Sequence, residues 1–275
     1  MLFAPRLGFA ARGVPSYVRR APLVLINGLA EQAESWYSNL DAWRCHFDVY
    51  QPNLLAYEGA ALHRRIDAGQ PIDIEYLVER LHVYLDGFVQ SPPYHLVANS
   101  LGGKVAVEFA VRYPDQDARL VLLCPSGLSD VERLPVIDGV RRNDLRSLVA
   151  SVFQDPGHTD PNLLAYYEKK FADRRWRSGL LRTIRGTMGH RVRDRLAEVT
   201  QPTLLVVGRE DRIVDPHQAI EAAGLLRRGR LLVLEGCGHA PQIERSELVN
   251  RLVVEFLQET SPAMLNASAA GATAP

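Results

Sequence analysis

Residues 94–109 read YHLVANSLGGKVAVEF, and this stretch decides the fold. Its opening, HLVA at 95–98, is a short apolar run of the kind buried on both faces of a parallel sheet. From 104 to 113 apolar residues recur at helical spacing until Pro114 ends the pattern. Between the two stands Ala98-Asn99-Ser100-Leu101-Gly102. A serine hydroxyl that attacks a substrate must project from the sheet end toward a base. A tight strand-to-helix turn achieves this by holding the serine in a strained backbone conformation. Small residues are needed two before and two after it, because the two backbones nearly touch there. Ala98 and Gly102 meet that need. The helix behind Ser100 points its free N–H groups and positive dipole end at the reacting centre. The N–H of Leu101 is then placed to stabilise an oxyanion. Small-Ser-small turns also arise by chance, but the flanking strand and helix favour the catalytic reading.

Further unalternating apolar runs lie at 22–27 (PLVLIN), 120–124 (LVLLC), 203–207 (TLLVV) and 231–234 (LLVL). Each reads as a strand buried on both faces. Helical patterns at 74–89 and 246–258 alternate with them, which predicts an α/β architecture with right-handed crossovers. Residues 128–195 break this rhythm. They hold helix-like pieces separated by Pro135, Pro156-Gly157, Pro161 and a break at 186–189. So long a bare loop is unusual, so a helical insertion over one sheet edge is expected. The expected division is a core of 1–127 and 196–259, an insertion at 128–195, and a disordered tail at 260–275.

The loop after the fifth run reads LLVLEGCGHAPQIE, residues 231–244. Its glycines lift His239 out of the core, in a position able to reach Ser100. The other histidines among the 8 lack that context and any HExxH spacing. The loop after the fourth run reads GREDRIVD, residues 208–215. Asp211 is the best candidate to accept the Nδ1–H of His239, with Glu210 and Asp215 as competitors. The chain order serine, aspartate, histidine suits a nucleophile on such a strand-turn-helix.

Composition bounds the remaining possibilities. The chain has 275 residues, 47% hydrophobic and 23% charged, with a formal net charge of zero. Nucleic acid is therefore not the expected partner. No apolar run approaches the roughly 20 residues of a membrane span, so none is expected. Cys45, Cys124 and Cys237 form no disulfide framework or CxxC pattern, which fits a reducing compartment, and a cytoplasmic location is expected. Cys124 and Cys237 read as packing residues, with Cys237 also a possible thiol lining the site. Arg6, Arg12, Arg19 and Arg20 precede the first acid, Glu31, a trait shared with transit peptides. The plainer reading is a short irregular or edge-strand lead-in. Within 128–195, twelve arginines and two lysines face nine acids. A solvated helical surface is the bland reading; attraction of an anionic substrate or an acidic acyl carrier is the sharper one.

Taken together, ANSLGG, GREDRIVD and GCGHAPQIE resemble the nucleophile elbow, acid loop and histidine loop of the α/β-hydrolase superfamily. The resemblance spans about residues 22–257. It implies a mostly parallel eight-stranded sheet with one antiparallel strand, helices on both faces, and a helical cap at the insertion. It implies acyl-enzyme hydrolysis of a small-molecule acyl substrate by Ser100, His239 and Asp211, without metal or organic cofactor. Three positions depart from the family pattern. Asn27-Gly28-Leu29 stands where His-Gly is usual, which assigns the second oxyanion N–H to Leu29 and loop support to Asn27 and Gly28. Ala98 replaces the first elbow glycine, and PNLLAYEG at 52–59 replaces Asp-x-Arg-Gly. A carboxylic ester is the expected substrate. Asn99-Ser100-x-Gly-Gly and Cys124-Pro-Ser-Gly-Leu are similar to meta-cleavage-product hydrolases, which implies carbon–carbon bond hydrolysis as an alternative, with Arg182 or Arg185 suited to a substrate carboxylate. A non-turnover ligand receptor on the same fold is the third reading.

Overall fold

The computed structural model describes residues 20–30, 33–55, 59–89, 92–129, 151–158 and 161–259. The lead-in before residue 20, Glu31, Ala56 to Glu58, Pro135 and the tail from 260 lie outside the described residues. Six strands form one sheet: β1 (Pro22–Ile26), β2 (Asp48–Tyr50), β3 (Tyr94–Asn99), β4 (Asp117–Leu123), β5 (Thr203–Gly208) and β6 (Gly229–Leu234). Their order is β2-β1-β3-β4-β5-β6, and every pairing is parallel. The expected count of eight strands, one antiparallel, is therefore not met among the described residues.

The unalternating apolar runs follow from burial of both sheet faces. Val24, Ile26, Leu96, Ala98, Leu120, Leu122, Leu205 and Val207 point into one core cluster. Leu23, Leu25, Val97, Val121, Leu123, Leu204 and Val206 point into the other. The predicted double burial fails at β6, which is an edge strand and mostly half-buried. β2 escaped the sequence reading because three half-buried residues leave no apolar run.

Helices α1 (Leu40–Arg44) and α9 (Ser246–Gln258) supply Trp43, Val249, Val253 and Phe256 to the second cluster. Helices α2 (Ala60–Asp67), α3 (Ile74–Tyr84) and α4 (Leu101–Arg112) pack on the first. The pattern predicted at 74–89 ends as a wider π-helical turn, Leu85–Val89. Between β4 and β5 the described residues form α5 (Pro161–Ala172) and α6 (Arg174–Thr187) and no strand. Helices α7 (Pro216–Ala222) and α8 (Pro241–Glu244) follow β5 and β6. No helix of the described residues is long and apolar enough to cross a membrane.

The strand order reverses between β1 and β3. Crevices at the carboxyl ends of an open parallel sheet form at such a switch point. Among the described residues, the non-glycine residues with positive φ are Ala30 (63°), Ser100 (51°) and Cys124 (42°). They follow β1, β3 and β4, so backbone strain gathers at one sheet edge.

Burial of one histidine makes stability depend on pH. His95, on β3, is buried, and its Nδ1 has no hydrogen-bond partner among the described residues. Burial, with Arg119 nearby, pushes its pKa down from 6.5 to about 4. The unfolded chain thus binds the proton more readily than the folded one. Stability is full above pH 6.5 and falls with pH from there toward about 4. The expected loss is on the order of 3 kcal/mol. Urea unfolding at pH 7 and pH 4 measures it. His95→Leu should flatten that part of the profile, and an equally steep fall in the variant would contradict the assignment.

Candidate active site

Ser100 sits between β3 and α4 with φ 51° and ψ −119°. The turn holds this angle through two backbone bonds, Ser100 N–H to Leu123 O at 3.1 Å and Ser126 N–H to Ser100 O at 3.0 Å. Gly102 is forced by close approach. A Cβ there would lie 2.3 Å from Ile26 O and 2.9 Å from Asn27 O. Gly103 likewise packs against Pro125. Asn99, which the sequence reading left without a role, donates from Nδ2 to Leu123 O at 3.0 Å and His239 O at 3.3 Å. It ties the elbow to the histidine loop.

The three strand-end loops converge on one line of hydrogen bonds. His239 Nε2 lies 2.8 Å from Ser100 Oγ, and His239 Nδ1 lies 2.8 Å from Asp211 Oδ2. All three residues are buried. The other carboxylate oxygen of Asp211 accepts from the N–H groups of Ile213 (2.8 Å) and Val214 (3.0 Å). Its competitors are occupied elsewhere. Glu210 Oε2 accepts from Cys237 N–H at 2.9 Å, and Asp215 caps α7 through His217 N–H at 2.9 Å. Gly208 admits this convergence, because a Cβ there would lie 2.0 Å from Gly238 O.

Leu29, Ser100 and Leu101 line one cleft of about 370 Å³, part of it open to solvent, together with Lys104, Ser126, Ile184, Thr187, Met188, Ile213 and Val214. It lies at the β1–β3 switch point. Leu101 is the first residue of α4, so its N–H has no intrahelical acceptor. Asn27 is buried and, like Gly28, is engaged in contacts of its own. Lys104 is a buried cation the sequence reading missed; its Nζ donates to Thr187 O at 3.1 Å. Arg182 and Arg185 are exposed, whereas Ile184, Thr187 and Met188 of the same helical stretch face the cleft. The structure thus corrects the carboxylate role given to those two arginines.

Cys237 also departs from expectation. It is fully buried in the second core cluster and does not line the cleft. Burial, with Glu244 beside it, pushes its thiol up to about 12. Cys124, Asp211 and His239 bring ligand-type atoms within 4.8 Å of one another, the one such group among the described residues. These are largely the hydrogen-bonded atoms just described. Burial, followed by the Asp211 charge, pushes the Cys124 thiol well above its usual range.

The chain belongs to the alpha/beta hydrolase family, whose sequence model matches residues 23–252. It is 24% identical over 274 residues to a monoacylglycerol lipase of Xenopus laevis, covering 90% of this chain and 78% of that one. It is 27% identical over 179 residues to 2-hydroxy-6-oxo-6-phenylhexa-2,4-dienoate hydrolase of Comamonas testosteroni, covering 60% and 63%. A meta-cleavage product hydrolase from Pseudomonas fluorescens superposes with a TM-score of 0.75 at 22% identity, covering 88% and 92% of the two chains. A carboxylesterase from Bacillus subtilis does so at 0.70 and 21%, covering 87% and 84%. At these identities the solved structures share the fold.

Proposed function

We propose that this protein is a serine hydrolase that cleaves a carboxylic ester through an acyl-enzyme on Ser100. The observation that carries the reading is the continuous Ser100–His239–Asp211 line, each link 2.8 Å, opening on a cleft. His239 takes the Ser100 proton as Oγ attacks the carbonyl carbon. The tetrahedral oxyanion is stabilised by the N–H groups of Leu29 and Leu101. His239 then gives the proton to the leaving alkoxide, and water repeats the cycle on the acyl-enzyme. Asp211 holds Nδ1 protonated throughout, so that Nε2 is the free base.

An ester with an apolar acyl part suits the cleft, whose lining includes Leu29, Ile184, Met188, Ile213 and Val214. Residues 128–195 act in this reading as the cap that encloses it. The Xenopus relative, a lipase of monoacylglycerols, supports the same substrate class. One observation favours carbon–carbon hydrolysis as a second reading. Lys104 is a cation within the cleft, where a carboxylated dienone would need one, and the Comamonas relative is a hydrolase of such a compound. An anionic substrate fits that reading. A lesser idea, separate from that reading, is delivery of the acyl group by an acidic acyl carrier docking on the basic 128–195 segment, which requires a rate that falls with salt.

A panel of p-nitrophenyl esters of graded acyl length, monoacylglycerols and a vinylogous 1,5-diketone separates these readings. Turnover of esters, best at one chain length, is expected, with the diketone at least tenfold slower in kcat/KM. Saturable binding without turnover of anything in the panel would favour the receptor reading instead.

A further inference from the structure

One buried carboxylate beside the site has no part in the chemistry above. Glu244 lies in α8, five residues after His239. Its two oxygens accept from two backbone N–H groups of distant origin. Oε1 takes the N–H of Gly238, the residue before His239, at 2.9 Å. Oε2 takes the N–H of Gln154, in the segment between β4 and β5, at 2.7 Å. That segment engages the catalytic loops twice more. Val152 O accepts the N–H of His239 at 2.8 Å. Gln154 Oε1 accepts from Arg212, the neighbour of Asp211, at 3.0 Å. Phe153, Leu164 and Ala240 form a small buried cluster over the same contact. The fit is tight: a Cβ on Gly238 would lie 2.8 Å from both Gln154 N and Val152 O.

We infer that Glu244 is a positioning residue that locks residues 152–154 onto the histidine loop. His239 is held in line with Ser100 only while that segment is seated. The inference rests on the triad reading above. A carboxylate is acceptor-only and has two oxygens, so each of the two donors meets an oxygen of its own. A carboxamide of the same size offers one oxygen and turns its NH₂ on the second donor. A buried N–H left unpaired is costly, so the loop moves to find another acceptor. A displacement of about 1 Å in a catalytic group is enough to cost on the order of a hundredfold in rate.

The test is Glu244→Gln in the full chain, with a p-nitrophenyl ester turned over by the wild type. We expect kcat to fall roughly ten- to a hundredfold with KM changed less than about threefold. The rate at which a fluorophosphonate labels Ser100 should fall in parallel. Hydrogen exchange at the Gly238 and Gln154 amides should quicken together, while β3 stays protected. Phe153→Ala unseats the same segment without touching the carboxylate and should give the same pattern, which keeps the test alive if Glu244→Gln does not fold. A kcat within twofold of wild type, a change confined to KM, or exchange that quickens at only one of the two amides overturns the inference. A wild type that turns over no ester fails the functional reading instead, and the paired exchange then decides this inference alone.

Discussion

Ser100→Ala is expected to abolish ester turnover, a fall in kcat on the order of 10⁶-fold. The substitution removes one oxygen atom and nothing else. That oxygen is the group His239 Nε2 faces at 2.8 Å, and without it no acyl-enzyme forms. The fold should survive, since alanine tolerates the φ of 51° about as well as serine does and the turn is held by backbone bonds. Unchanged circular dichroism and a nearly unchanged Tm check that point. Labelling by a fluorophosphonate, present in the wild type, should vanish. Persistent labelling would transfer the nucleophile to another residue. Ser126, the other serine lining the cleft among the described residues, would be examined first.

The second large effect is expected from Asp211→Asn, about 10⁴-fold in kcat. The carboxylate accepts from Ile213 and Val214 on one oxygen and faces His239 Nδ1 with the other. An asparagine keeps its one oxygen on the two backbone donors. Its NH₂ then points at Nδ1, which must accept, and the imidazole proton moves to Nε2. In that tautomer the ring donates toward Ser100 and cannot take its proton. Glu210→Gln and Asp215→Asn are the controls, because their carboxylates serve Cys237 N–H and the N-terminus of α7. Each should cost less than tenfold in kcat. A reversed ranking, with Glu210→Gln the crippling change, would overturn the choice of Asp211.

Much of the site was legible because its signals are local. The elbow needs a strand, a serine and a glycine within a few residues, and 94–109 supplies them in order. The acid and histidine loops each follow a recognisable apolar run. Choosing among Glu210, Asp211 and Asp215 depended on which backbone N–H groups each carboxylate meets, and the donor of Glu210 lies 27 residues away. The misplaced arginines have a different cause. In α6 the helical period already puts Arg182 and Arg185 opposite Ile184 and Thr187, so their outward direction was readable and the charge count obscured it. Lys104 was hidden by type, since a lysine is almost never buried without a partner, and its partner Thr187 is 83 residues on.

The alternation of apolar runs with helices, the burial of the central strands on both faces, and the candidate serine and histidine were legible in sequence alone. Each depends on hydrophobic period and turn chemistry, which act between near neighbours. Closure of the 2.8 Å line from Ser100 to Asp211, the lining of the cleft, and the hold of Glu244 on residues 152–154 were decided by tertiary structure. These depend on donors and acceptors brought together from distant loops, where a shift of an ångström breaks a hydrogen bond while leaving the apolar pattern of every strand unchanged.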